Sequence, residues 1–237
     1  MNQAVLVLII LTLFFSSTYS SESSWKDLVS NHLLLSGGEQ NLKTMKSISR
    51  RGSIKFFNFH KRKGKVFSYS TDIDYDSKKL REELKSSNLT LVDRGTDGHA
   101  FWEWDNHEYK FINNNTKKEN MLETVLKANR DLLWIESDLS SINKTKEQSW
   151  SPNSSCIVGL KKSKNYFLCF SKRTKLLQAK GNDLEYRIVK DWQKVGNIYI
   201  PFKIEHYRNN KKVYVINLLT AKVNKVIPDA RFRIPSN

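Results

Sequence analysis

The sequence predicts an α+β domain that is mainly antiparallel β, and three observations carry that prediction. First, Ile198, Ile200, Phe202 and Ile204 alternate with Tyr199, Lys203, Glu205 and Tyr207, the period of a strand with one buried face. That strand sits inside a stretch, Leu184 to Pro235, that reads as a β-meander. Second, the same period appears near the front of the chain. Ile54 and Phe56 lead through a basic turn, His60-Lys61-Arg62-Lys63-Gly64, into Phe67, Tyr69, Thr71, Ile73 and Tyr75. Third, apolar residues fall at helical spacing in two places, around Trp25 to Leu33 and around Leu122 to Leu133. With 9 Gly and 4 Pro in 237 residues, no repeat and no low-complexity tract, nothing reads as a linker, and residues 21–237 are expected to form one domain.

Taken in order, Val5 to Phe15 is apolar apart from Thr12 and is followed by Ser16, Ser17, Thr18, Tyr19 and Ser20. Spanning a bilayer takes roughly 20 apolar residues, so this run fits an export signal over residues 1–20, although it lacks a basic start. Trp25, Leu28, Val29, His32 and Leu33 predict an amphipathic helix over 23–35, capped by Ser24 and stopped by Gly37-Gly38. A short helical turn over Glu39–Met45 precedes the first hairpin. Ser77 to Lys85 contains good helix formers, yet Leu80, Glu82 and Leu84 also fit a strand, and Leu89 to Val92 fits another after a turn at Ser86-Ser87-Asn88. Thr96-Asp97-Gly98 is a tight turn into a strand carrying Ala100, Trp102 and Trp104. Asn113-Asn114-Asn115-Thr116 is a loop and cap before a helix over Met121–Ile135, with Leu122, Val125, Leu126, Leu132 and Leu133 on its apolar face. Leu139 to Glu147 is expected to be a second helix or an irregular lid. In the final meander Asn209-Asn210 is a hairpin turn, because Asn tolerates positive φ. Pairing across it places Ile204 opposite Val215 and His206 opposite Val213, so that the apolar face continues.

The two cysteines, Cys156 and Cys169, flank a predicted hairpin, and export permits a disulfide between them. A two-residue loop at Lys162-Ser163 sets them opposite one another; a loop shifted toward Asn165 does not. The formal charge of +16 favours anionic partners such as phospholipid headgroups or acidic glycans, or else reflects lysine-rich solvated faces. No nucleic-acid module is present, and no nucleophile elbow, zinc helix or phosphate loop, so no catalytic residue, cofactor or metal is expected. His99 and His107, with Glu103 and Asp105 between them, would point to mixed faces, and Asp72, Asp74 and Asp76 read as a solvated strand edge. The triplets starting at Asn88, Asn114, Asn143 and Asn153 match glycosylation acceptors, which matter only in a eukaryotic source.

Several segments together resemble the LolA/LolB-like lipoprotein-sorting carriers. They are His32-Leu33-Leu34-Leu35-Ser36-Gly37-Gly38-Glu39-Gln40-Asn41-Leu42-Lys43 leading to Ser47-Ile48, and Leu80-Arg81-Glu82-Glu83-Leu84, whose likeness to a hairpin strand of that family decides for strand there. They continue with Thr96-Asp97-Gly98-His99-Ala100-Phe101-Trp102, Tyr186-Arg187-Ile188-Val189 through Ile200-Pro201, and Ile227-Pro228-Asp229-Ala230-Arg231-Phe232-Arg233-Ile234-Pro235. The resemblance implies an incomplete β-barrel with helices over its open side and a hollow that holds acyl chains. The expected lining is Ile54, Phe56, Phe67, Tyr69, Trp102, Trp104, Leu122, Val125, Leu126, Ile198, Ile200, Phe202, Ile204, Val213 and Val215. Trp102 and Trp104 serve equally well as packing anchors on residue type alone. Arg50 and Arg51 are the candidates for a residue that locks the helical lid. No cysteine follows the apolar leader, so no lipid anchor is expected.

The function expected from these readings is that of a soluble, exported, monomeric carrier, periplasmic in a two-membrane bacterium. It would bind the acyl chains of lipoproteins or lipids and touch anionic membrane surfaces. The alternative is a secreted basic module for anionic glycans or membranes, without a cavity.

Overall fold

The computed structural model describes residues 24–58, 63–87, 89–105, 107–127, 133, 139–145, 153–161 and 164–235. The expected export signal, and His60 to Arg62 of the basic turn, lie outside that set. Helix α1 (Trp25–Leu35) begins where the sequence places it. Ser24 Oγ accepts from Asp27 N–H while the Asp27 carboxylate accepts from Ser24 N–H, a reciprocal cap. A short helix α2 (Glu39–Lys43) follows.

The chain then lays down six strands in succession: β1 (Ser47–Phe56), β2 (Val66–Asp74), β3 (Lys79–Ser86), β4 (Leu89–Thr96), β5 (Phe101–Asp105) and β6 (Glu108–Phe111). Helix α3 (Asn115–Lys127) comes next, its first turn met by the Asn114 side chain, which accepts from Lys117 N–H. Seven more strands follow: β7 (Ser140–Thr145), β8 (Ser154–Lys161), β9 (Lys164–Ser171), β10 (Leu177–Gly181), β11 (Glu185–Val195), β12 (Ile198–Arg208) and β13 (Lys211–Val223). A 3-10 turn (Asp229–Phe232) ends the described fold.

All thirteen strands form one open antiparallel sheet, in the order β6-β5-β4-β3-β2-β1-β13-β12-β11-β10-β9-β8-β7. Two meanders are thus stitched together by β1 and β13, and the sheet does not close into a barrel. The fold is α+β with helices gathered on one face, which we term the inner face. Leu42 of α2, Met45 just after it, and Met121 and Val125 of α3 share a core with Ile48, Ile54, Phe67, Tyr69, Ile73 and Leu80 of the first meander. Leu28 and Val29 of α1 pack on Ile157, Leu168, Phe170 and Val189 of the second. His32 pins α1 to the sheet, its Nδ1 accepting from Leu177 N–H at 3.0 Å.

Three expectations are corrected. The segment expected as a second helix or lid is in part strand β7, an edge strand held by pairing with β8, so cross-strand hydrogen bonds decide its form. Helix α3 starts earlier than Met121, at Asn115, and Lys127 is its last described residue. The β12–β13 register is Ile204 opposite Ile216 and His206 opposite Tyr214, because a bulge between His206 and Tyr207 inserts Val213 as an extra residue. The hairpin turn itself is as expected, with φ of 49° at Asn209 and 58° at Asn210. One added residue sends every following side chain to the other face.

Candidate functional site

Between the helical cover and the inner face lies a cavity of about 630 Å³. Its apolar wall includes Leu33 and Leu42 from the helical side and Tyr69, Leu80, Ile204 and Ile216 from the sheet. A polar row crosses this wall. Arg50 pairs with Thr71, Thr71 with Glu82, Glu82 with Arg94 and Arg94 with Glu103, one residue from each of five neighbouring strands. Because paired residues of antiparallel strands share a face, all five point inward. Arg94 forks onto Glu82, Nε at 2.9 Å and Nη2 at 2.6 Å from one oxygen, and Glu103 is met by Lys117 of α3 at 2.6 Å. The hydroxyls of Thr71 and Tyr69 bond to each other at 2.6 Å.

A second polar group lies on the β11–β12 side. His206 is 3% exposed, stacks on Tyr214 with ring centroids 4.6 Å apart, and holds Glu185 at 3.2 Å through Nε2. Burial, reinforced by the Arg187 charge, pushes the imidazole pKa down against the pull of Glu185, so the neutral ring is favoured. The cavity is therefore amphipathic: its apolar wall is broken by charged side chains, most of them paired.

Of the expected lining, Tyr69 and Ile204 face the cavity. Ile54, Phe56, Phe67, Val125, Ile198, Ile200 and Phe202 are packed in the core beside it, and Leu122 is half-buried in α3. The side chain of Leu126 lies outside the described residues. Val215 pairs with Glu205 and Lys55 and so points to the opposite, outer face, and Val213 is the bulge residue. Tyr214 and Ile216 take the places expected for those two valines.

Trp102 and Trp104 also belong to the outer face. Trp102 pairs with Gly95, the neighbour of inward Arg94, and its Nε1 donates to Phe232 O at 3.2 Å. A Cβ at position 95 would come within 2.7 Å of the Trp102 ring, so glycine is what lets the indole lie flat on the strand. Trp104 meets Tyr109 edge-on, at 4.8 Å between centroids. Both tryptophans are packing anchors of the outer face.

Arg51 also turns outward. Its guanidinium reaches both oxygens of Asp72 at 2.8 and 2.7 Å, which removes it as a lid lock. Arg50, one residue earlier, turns inward by the alternation of the strand. Among the described residues it makes no bond to a helix, so the expected locking contact is not formed there either.

Cys156 and Cys169 are directly paired across the β8–β9 hairpin and are disulfide-bonded, the hairpin register being Lys161 opposite Lys164. Glu82, Arg94, Arg187 and Tyr214 line the cavity but were not expected to. Glu82 and Arg94 fall on the strand period with apolar neighbours, which is the one signal that could have found them.

No family profile matches the chain, and no curated protein is similar to it in sequence. Solved structures are. A DUF1329 family protein from Desulfovibrio piger superposes with a TM-score of 0.57 at 11% identity, over 88% of this chain and 96% of that one. A LolA superfamily protein from Nitrosomonas europaea superposes with a TM-score of 0.55 at 9% identity, over 90% of this chain and 98% of that one. At such identities the likeness defines the fold: the chain has a LolA-like fold. Among the described residues no helix is long and apolar enough to cross a membrane.

Proposed function

We propose that this protein is a carrier that takes the acyl chains of lipids or lipoproteins into the inner-face cavity and moves them through an aqueous compartment. The observation that carries the reading is the cavity of about 630 Å³ under a helical cover, within the size of sites that hold small amphiphiles. Burying a chain there gains about 0.8 kcal/mol per CH₂. The LolA-like fold supports the same reading. Residues 1–20 act as the export signal, 21–237 form the one working domain, and the protein binds without catalysing a reaction. The outer face helps to bring it to anionic membranes: Lys190, Lys203 and Lys212 surround a single carboxylate, Glu205, in a chain of formal charge +16.

Native mass spectrometry of the purified protein, followed by organic extraction, tests the proposal. A stoichiometric adduct that yields acyl species is expected. Ile216→Glu, at the cavity wall, should abolish the adduct, while Leu219→Glu, 77% exposed, should leave it. A clean apo mass with no uptake of added phospholipid or acylated peptide overturns the carrier. Binding of an acidic glycan that collapses as salt rises would replace it with the basic-module reading.

A further inference from the structure

We infer that the cavity is built for an amphiphile with an acidic head, a carboxylate or a phosphate, and that Arg50 is the residue that pairs with that head. The inference rests on the carrier reading and narrows its cargo.

Charge matching inside the cavity points to such a head. Three carboxylates line it, and the protein already supplies a cation to each. Glu82 is forked by Arg94, Glu123 has Lys161 at 3.7 Å, and Glu185 has Arg208 at 3.6 Å, with the neutral imidazole of His206 beside it at 3.2 Å. Arg50 is different. Its Nε is buried without a hydrogen-bond partner, and among the described residues no carboxylate lies within ion-pair distance of its guanidinium. Arg50 is half-buried, and a guanidinium cannot escape the cost of even partial burial by losing its proton, so its shut-off Nε costs free energy unless an anion arrives.

Next to Arg50, paired with it across β2, stands Thr71, bonded to the Tyr69 hydroxyl. One hydroxyl hydrogen of that pair is spent in their mutual bond, and the other remains to meet an acceptor. A guanidinium fork and a hydroxyl donor side by side are the donor set that a carboxylate or phosphate accepts from. The same wall carries Leu42, Leu80 and Ile216, so an anion held at Arg50 has apolar surface beside it for its chain. An inorganic anion would leave that surface unused, and a neutral lipid would leave the guanidinium unmatched.

The test uses the full chain after delipidation and three probes with one common oleoyl chain: oleic acid, its methyl ester and oleoyl lysophosphatidic acid. At neutral pH one or both acids should bind roughly ten- to a hundredfold more tightly than the ester, the range for a hydrogen bond to a charged group. Arg50→Gln should erase that preference and leave ester affinity unchanged, which also reports that the variant is folded. Arg50→Lys, which keeps the charge without the fork, should retain part of it. If Arg50→Gln does not fold, Arg50→Lys and the wild-type ratio of acid to ester carry the decision. Which acid binds more tightly assigns the head as carboxylate or phosphate. Equal binding of acid and ester by the wild type, or a preference that survives Arg50→Gln, overturns the inference and leaves the carrier standing. No uptake of any oleoyl probe overturns both.

Discussion

Removing the Asp72 carboxylate should be the most damaging single change on the outer face, because two arginines depend on it. Asp72 is 1% exposed, accepts a fork from Arg51 at 2.8 and 2.7 Å, and accepts from Arg231 Nε at 2.7 Å. Arg231 also reaches Ser70 and Glu83, and its neighbour Phe232 is fully buried with its carbonyl held by Trp102. This C-terminal strap is therefore latched across β2 and β3 by charge and by one aromatic plug. Asp72→Ala leaves two part-exposed cations facing each other over the emptied position and should cost about 2–4 kcal/mol. Arg231→Ala leaves Asp72 its Arg51 fork, and Glu83 keeps Lys85 at 2.8 Å, so about 1–2 kcal/mol is expected. Urea unfolding followed by tryptophan fluorescence measures both, and the double variant should show a coupling of about 1–2 kcal/mol. Burial raises the Asp72 carboxyl, but the bonds from Arg51 and Arg231 outweigh it and hold its pKa below the ordinary 3.8. A depressed carboxyl stabilises the fold above its unfolded value, so the latch should weaken as pH falls below about 4. An Asp72→Ala cost smaller than that of Arg231→Ala, or strictly additive costs, would refute this account of the strap.

Two further outcomes are expected. Burial would raise the Glu205 carboxyl, but hydrogen bonds from Lys190, Lys212 and Tyr207 hold it at about 2 against an ordinary 4.5. Its contribution is thus full above pH 4.5 and lost as pH falls toward 2. Glu205→Gln should cost roughly 2–3 kcal/mol at neutral pH, discounted for the half-exposed lysines, and should flatten the acid unfolding curve in that window; superimposable curves would exclude the effect. Replacing both Cys156 and Cys169 by Ser opens a loop with a sequence separation of 13, and should lower stability by about 2–4 kcal/mol in equilibrium unfolding. A change under 1 kcal/mol would mean that the hairpin register holds without the bond.

The fold was legible where local chemistry decides it. Ser24 with Asp27 announces the start of α1, and two asparagines in succession announce the turn between β12 and β13. Alternation along Ile198 to Ile204 announces the strand before that turn. What alternation cannot say is which face the helices will cover. Trp102 and Trp104 share a face, as their spacing requires, yet that face is the outer one, a choice made by pairing with Gly95 and by the strap. The bulge at Val213 was equally hidden, since it exists only in the pairing of two strands, and it moved the wall from Val213 and Val215 to Tyr214 and Ile216. Residues 139–147 read as a helix or lid because their own sequence has weak β character; the partner strand β8 supplies the missing hydrogen bonds. Glu82 and Arg94 could not be read from the sequence as a pair on the cavity wall, because their mutual pairing, the thing that lets them face inward, joins two different strands.

Arg50 and Arg51 bring these points together. They are adjacent, chemically identical and on one strand, and the pleat alone sends one to each face. On the outer face the cations and carboxylates answer one another: Arg51 and Arg231 on Asp72, and Arg81 on Asp93 at 2.9 Å. That closure suits a surface whose task is to hold the C-terminal strap over a face on which, among the described residues, no helix packs. On the inner face the pairing runs along the same strands, through Glu82 with Arg94 and Glu103 with Lys117, and stops one residue short. A fold that satisfies its charges with such regularity on one side gains nothing in stability by leaving a half-buried guanidinium, its Nε shut off from solvent, unmatched on the other. The cost is sensible only if the missing anion is brought by what the cavity carries, so the charge that fails to pair marks the site more directly than the apolar wall around it.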